Sequence, residues 1–256
     1  MPFTSGGRRR KALATPFPDA WRALVSQGVA AWRTFNDAER ERLEELIRLL
    51  LADKGWEASR GFELTEEIRV VIAALAAIPI LGLDYDYYHG VTAVIVTPKV
   101  VDTHGSRLVG DGILSDEPMA VIGLASSAGP VLIAWEDARR QGRRPGSGNV
   151  VYHEFAHALD MLDGSVDGTP PLESQPEYER WVEVCNAEYL ALRNGTSGGL
   201  LDIYGATDPG EFFAVVTETF FDRPAELLLA KPDLYAVLAK FYGQDPAERE
   251  RRIPRA

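Results

Sequence analysis

The sequence predicts an α+β fold, predominantly helical, with a small sheet in mid-chain and a helical layer at the N-terminal end. Three observations lead there. Apolar residues recur at helical spacing before residue 80 and again after residue 149, whereas the stretch between holds short β-branched runs bounded by Gly and Pro. The 256 residues are 46% hydrophobic and 25% charged, an ordinary globular balance. No internal repeat or low-complexity linker divides them, so residues 16–246 read as a single domain between two charged tails.

Residues 1–15, rich in Gly, Arg and small side chains, read as a flexible basic tail. Asn36-Asp37-Ala38-Glu39 is a capping-box pattern, and Leu43, Leu46, Ile47 and Leu50 follow it at helical spacing. Thr65-Glu66-Glu67 opens another helix through Ile68, Ile72 and Leu75, which should end near Pro79. Strands are predicted at 92–97, 120–124 and 131–135. A helix is predicted over 149–162, closed by the turn signals Asp163-Gly164 and Pro170-Pro171. One more should cover 176–193, and two or three should lie between Pro209 and Tyr242, punctuated by Pro224 and Pro232. Residues 247–256 read as a charged, fraying tail.

Several function classes are disfavoured at this level. With 27 basic and 38 acidic side chains the net charge is −11, which argues against direct nucleic-acid binding and weakly against an anionic membrane surface. Cys185 has no partner in the chain, so no intrachain disulfide forms, and its apolar neighbours make it a packing residue rather than a nucleophile. The longest apolar run, residues 70–83, is broken by Pro79 and falls short of the roughly 20 residues that span a bilayer. Arg8-Arg9-Arg10-Lys11 resembles the start of an export signal, but two prolines and an aspartate follow where an apolar stretch belongs. A cytoplasmic protein is the expectation. His89 and His104 read as surface or capping residues, and Arg139, Arg140, Arg143 and Arg144 as a solvated basic turn.

The chemistry concentrates in His153-Glu154-Phe155-Ala156-His157. On a helix, residues four apart share a face, so both imidazoles can reach one ion. Glu154 then lies beside the ion rather than on it, placed to take a proton from water. Imidazole ligands with an open position suit zinc, which requires a third protein ligand. Asp163 is set aside: on a straight helix it sits about 9 Å further along the axis and off the histidine face. Glu177 and Glu211 both remain open, with Glu211 slightly ahead because its helix begins Pro-Gly-Glu-Phe-Phe-Ala, where an inward carboxylate needs a partner. Asp160 is either a partner for a histidine N–H or part of a solvated face.

Gly148-Asn-Val-Val-Tyr-His-Glu-Phe-Ala-His-Ala-Leu-Asp160, Gly164, Asp167-Gly-Thr-Pro170, Tyr204 with Glu211-Phe-Phe-Ala214, and Phe241-Tyr-Gly-Gln-Asp-Pro246 together resemble the Mlc titration factor A family of zinc peptidases. Trp21 and Gly129-Pro-Val-Leu-Ile-Ala-Trp135 match it too. The pair HEFxH and Tyr-x6-Glu-Phe-Phe-Ala is also similar to the catalytic domain of anthrax lethal factor. The resemblance implies a zincin-like fold with His153, His157 and Glu211 as zinc ligands, Glu154 as general base and Tyr204 as donor to the oxyanion. Glu218, seven residues beyond Glu211, is a candidate partner behind the ligands. The resemblance also implies aminopeptidase action on short peptides; 129–135 is hypothesised as an edge strand that pairs with substrate by β-augmentation. The family's name supplies the alternative, a regulatory protein that sequesters a transcriptional repressor of the Mlc type. One departure is visible: the connection between the histidine helix and Tyr204 is shortened around Asn194-Gly-Thr-Ser-Gly-Gly199.

Overall fold

A computed structural model describes residues 5–59, 61–99, 107–109, 113–115, 129–146 and 148–252. His104 and the strand expected at 120–124 lie outside the described residues. The fold is predominantly helical with a small parallel sheet, as the sequence predicts. Four helices form the N-terminal layer: α1 (Ser5–Leu13), α2 (Asp19–Gly28), α3 (Asp37–Asp53) and α4 (Glu66–Ala77). The Asn36 side chain accepts the Glu39 N–H while Glu39 accepts the Asn36 N–H, both at 2.9 Å, so the capping box of α3 is complete. Thr65 caps α4 through the Ile68 N–H, and α4 is buried along nearly its whole length.

Strands β1 (Gly55–Ala58), β2 (Val91–Thr97) and β5 (Gly129–Ala134) form one sheet in the order β1-β2-β5, all parallel. A parallel pair needs a crossover, and α4 supplies it between β1 and β2. Short strands β3 (Arg107–Val109) and β4 (Ile113–Ser115) pair antiparallel. β5 leads directly into α5 (Trp135–Arg143) and then α6 (Val150–Asp160), which continues as a 3-10 turn over Met161–Asp163. The C-terminal half is α7 (Gln175–Arg193), α8 (Pro209–Asp222), α9 (Pro224–Ala230), α10 (Pro232–Tyr242) and α11 (Pro246–Arg251). α6 lies along α8, and the far side of α8 packs on aromatic rings: Trp181 sits 5.7 Å from Phe213, and Phe220 stacks on Tyr242 at 5.6 Å. One hydrophobic cluster runs from Phe17 to Ala247.

Three expectations are corrected and one unpredicted element is added. The tail expected to be flexible is helical from Ser5 to Leu13, because Arg9 reaches Asp53 at 3.0 Å and Asp86 at 2.6 Å. The charged C-terminal stretch is anchored as far as Arg251: Arg249 is buried, donating to Glu39 at 2.7 Å and Gln244 at 2.9 Å. The four arginines expected in a turn belong to α5 and its C-cap. Finally, Gly55–Ala58 is a strand that its sequence does not announce, held by pairing with β2.

Candidate metal centre

The site is assembled by the body of α6 and the first turn of α8. Asn149 caps α6, its side-chain oxygen accepting the N–H groups of Val151 at 3.1 Å and Tyr152 at 3.4 Å. Val151, Tyr152, Phe155, Ala156 and Leu159 then face the core, which leaves His153, Glu154 and His157 half-buried on the opposite side. α8 starts on Asp208, which accepts the Glu211 N–H at 2.9 Å, with Pro209 at the first helical position. Gly210 eases the packing there, since a Cβ would stand 2.9 Å from Val166 and 3.2 Å from the Asp160 carboxylate and would push both side chains aside. Glu211 is thereby fixed in the first turn of α8 and buried against α6.

His153, His157 and Glu211 bring one donor atom each to a common point, within 4.8 Å of one another. Glu211 Oε2 lies 3.0 Å from His153 Nε2 and 3.4 Å from His157 Nε2, and the two Nε2 atoms are 3.2 Å apart. A tetrahedral ion with bonds of about 2.0–2.1 Å separates its ligands by roughly 3.3 Å, so this triangle has the dimensions of three tetrahedral ligands. Glu211 Oε2 is buried without an aligned hydrogen bond among the described residues, although it stands at ion-pair distance from both rings. A buried anionic oxygen in that position calls for a cation. The two imidazoles and the carboxylate therefore fit a divalent metal, with a fourth position left for water or substrate.

Electrostatics agree with the geometry. Burial works to raise the Glu211 pKa, but contact with His153 and His157 outweighs it and holds the carboxyl well below its usual range. Burial lowers the His153 pKa, yet the carboxylates of Glu211 and Glu218 push it up to about 10. Glu218 Oε1 accepts from His153 Nδ1 at 2.7 Å, while its Oε2 accepts the Asn149 N–H at 2.5 Å. One carboxylate thus orients a ring and ties it to the start of its own helix. Gly148, at φ +84°, makes room for this, since a Cβ there would lie 2.7 Å from Glu218 Oε2.

Tyr204, in a 3-10 turn over Ile203–Ala206, is half exposed, and its hydroxyl donates to Glu211 Oε1 at 3.2 Å. No described residue hydrogen-bonds the Glu154 carboxylate, which sits one residue along from His153 on the same open side. Glu177 is elsewhere, pairing with Lys240 at 2.9 Å and accepting the Glu173 N–H. Asp163 accepts from Ser165 and takes no part in the cluster. Asp160 is fully buried, so it does not belong to a solvated face. Its carboxylate accepts the Gly168 N–H at 3.1 Å, and burial pushes its pKa up to about 6. Gly168 in turn abuts Pro209, so Asp160 pins the loop after α6 against the start of α8.

The model of the family described as glucose-regulated metallo-peptidase M90 matches residues 4–243. This chain belongs to the M90 metallopeptidase family. Among its relatives, an uncharacterized protein of Synechocystis sp. is 34% identical over 244 residues, covering 93% of this chain and 89% of that protein. Mlc titration factor A of Edwardsiella ictaluri is 32% identical over 220 residues, 84% of each chain. Mlc titration factor A of Cronobacter sakazakii is 30% identical over 247 residues, 94% of this chain and 91% of the relative. No described helix is long and apolar enough to cross a membrane. Sequence reasoning missed the roles of Gly148, Gly168 and Gly210 in bringing M90-family side chains together, and the Pro-Gly and Gly-Asn pairs at the two helix starts are the signals that could have found them.

Proposed function

We propose that this M90 metallopeptidase is a cytoplasmic zinc-dependent aminopeptidase of short peptides, with His153, His157 and Glu211 holding the zinc. The triangle of donor atoms around the buried Glu211 oxygen carries this proposal. Held by His153, His157 and Glu211, a zinc ion would supply Lewis acidity for activating water and polarising a peptide carbonyl. Glu154 takes the proton of the attacking water and returns it to the departing amine. Tyr204 turns its hydroxyl from Glu211 toward the oxygen that gains charge. Glu218 keeps the Nδ1–H of His153 engaged, which leaves Nε2, on the Glu211 side of the ring, free to serve as a ligand.

A substrate backbone has a place to lie. β5 is an edge of the described sheet, and α6 packs against it. Gly129 gives its N–H to Gly90 at 2.9 Å, so strand alternation turns the N–H groups of Val131 and Ile133 inward and those of Leu132 and Ala134 outward. Pro130 falls at an outward position, where its missing N–H costs the sheet nothing. An extended peptide can add to that edge by β-augmentation. The test is a set of aminoacyl-nitroanilides beside their N-acetylated forms. An aminopeptidase cleaves only the free-amine series, whereas cleavage of both series makes the protein an endopeptidase.

A second function is favoured by what the relatives are called. If this chain also titrates a repressor of the Mlc type, Glu154→Gln should abolish turnover and leave repressor binding intact.

A further inference from the structure

Four of the chain's 27 basic residues fall within the six positions 139–144, in a protein of net charge −11. Arg139, Arg140 and Arg143 lie on α5, Arg144 is its C-cap, and all four are exposed. With Glu136 they line a shallow concavity of about 330 Å³. Local acids answer only part of this charge. Arg140 pairs with Asp137 at 2.7 Å and Arg143 reaches Glu67 at 3.5 Å, while Arg139 and Arg144 have no ion pair among the described residues. Arginines at 139 and 143, and at 140 and 144, are four apart, a spacing at which like charges on a helix repel. The opposite face of α5 is spoken for: Ala138 and Gly142 are buried, and Gln141 accepts the Val150 N–H of α6 at 2.8 Å. The arginine face is therefore the open side of an element already fixed in place.

We propose that this face docks a short acidic segment of a protein partner, several Asp or Glu side chains presented over one or two helical turns. Charge complementarity identifies the occupant, and the extent of the patch limits it. Six helical residues span about 9 Å, and the first turn of the helix carries Glu136 and Asp137, so the positive stretch ends abruptly. At physiological salt the field of a surface charge fades over about 8 Å. A compact run of carboxylates can sit on the four arginines at one end of the concavity, whereas an extended polyanion must also pass the carboxylates of Glu136 and Asp137. Planar guanidinium groups suit carboxylates, which they can grip through two parallel hydrogen bonds.

The test uses the full-length protein and fluorescence anisotropy with three labelled probes: a Glu-rich octapeptide, its Gln counterpart and a single-stranded oligonucleotide of equal charge. The Glu peptide is expected to bind more tightly than either other probe, with affinity falling as salt rises. Arg139→Ser/Arg143→Ser should weaken it about tenfold, the loss of two exposed guanidinium–carboxylate pairs. The double substitution Arg251→Ser/Arg252→Ser, at exposed arginines of the C-terminal helix, should leave binding unchanged. Equal affinity for the Gln peptide, tighter binding of the oligonucleotide, or indifference to the α5 substitutions overturns the proposal. So does a dimer in light scattering that the α5 substitutions dissociate, since a second copy of the chain would then be the occupant.

Discussion

Glu218 is the most informative side chain to remove, because it touches one proposed metal ligand, His153, without being a ligand itself. Its carboxylate accepts two hydrogen bonds, from His153 Nδ1 at 2.7 Å and from the Asn149 N–H at 2.5 Å, and is mostly buried. Glu218→Ala leaves the Asn149 N–H without its acceptor at the start of α6, which costs about 1–3 kcal/mol of stability. It also frees the His153 ring to rotate and to change tautomer. Loss of such a supporting partner usually lowers metal affinity by about 10–100-fold, equivalent to ~1.4–2.8 kcal/mol. The two effects are read separately, by thermal unfolding of the metal-free protein and by zinc competition with a chromophoric chelator. Glu218→Gln keeps an acceptor of the same shape, so it should lose less affinity than the alanine variant. Wild-type zinc affinity in a Glu218→Ala protein whose metal-free Tm has fallen would refute the coupling between this carboxylate and the metal site.

Gly148→Ala places a side chain at φ +84°, costing about 1–2 kcal/mol, and drives a Cβ toward Glu218. Its Tm should fall by roughly 2–8 °C with a parallel loss of zinc affinity, and an unchanged Tm would contradict the packing described. Leu132→Pro removes an N–H from the outer edge of β5 and should raise KM with zinc still bound, whereas Ile133→Pro breaks the sheet itself and should destabilise the fold; equal kinetics for wild type and Leu132→Pro would rule out strand addition there. Asp222 is buried, with one hydrogen bond from the Gly146 N–H, and burial pushes its pKa up to about 7. A raised carboxyl pKa means the folded state holds its proton more tightly, so stability is greatest below the ordinary value near 4 and is lost as pH rises through 7. Asp222→Asn should therefore be the more stable protein at pH ~8, by on the order of 4 kcal/mol at most, and the gap should close toward pH ~4; a gap independent of pH would contradict this.

What the sequence could disclose was local. The capping box Asn36/Glu39 defines α3 by itself, and the histidine spacing in 153–157 depends only on helical geometry. Glu211 was favoured over Glu177 by its apolar neighbours, and the fold buries one and leaves the other on a lysine. What the sequence hid depends on distant partners. α1 is held by acids 44 and 77 residues away, and α11 by Glu39, 210 residues away in the chain. β1 has no alternating pattern of its own and exists because β2 offers it a ladder. α5 reads as a turn because Arg and Gly dominate it, yet Gly142 is the residue that lets it press on the Gly28 carbonyl. Asp160 looks like one more surface acid until the loop at Gly168 closes over it.

The most direct measurement is turnover of an aminoacyl-nitroanilide by wild type and by Glu154→Gln, with the zinc content of each determined on the same samples. Wild type should hold one zinc per chain and cleave the substrate, and a chelator should stop it. Glu154→Gln should hold the same zinc and lose at least about 100-fold in kcat, the scale of a missing general base. A zinc-loaded wild type that cleaves nothing, or a Glu154→Gln protein as active as wild type, would contradict the assignment of catalysis to this site.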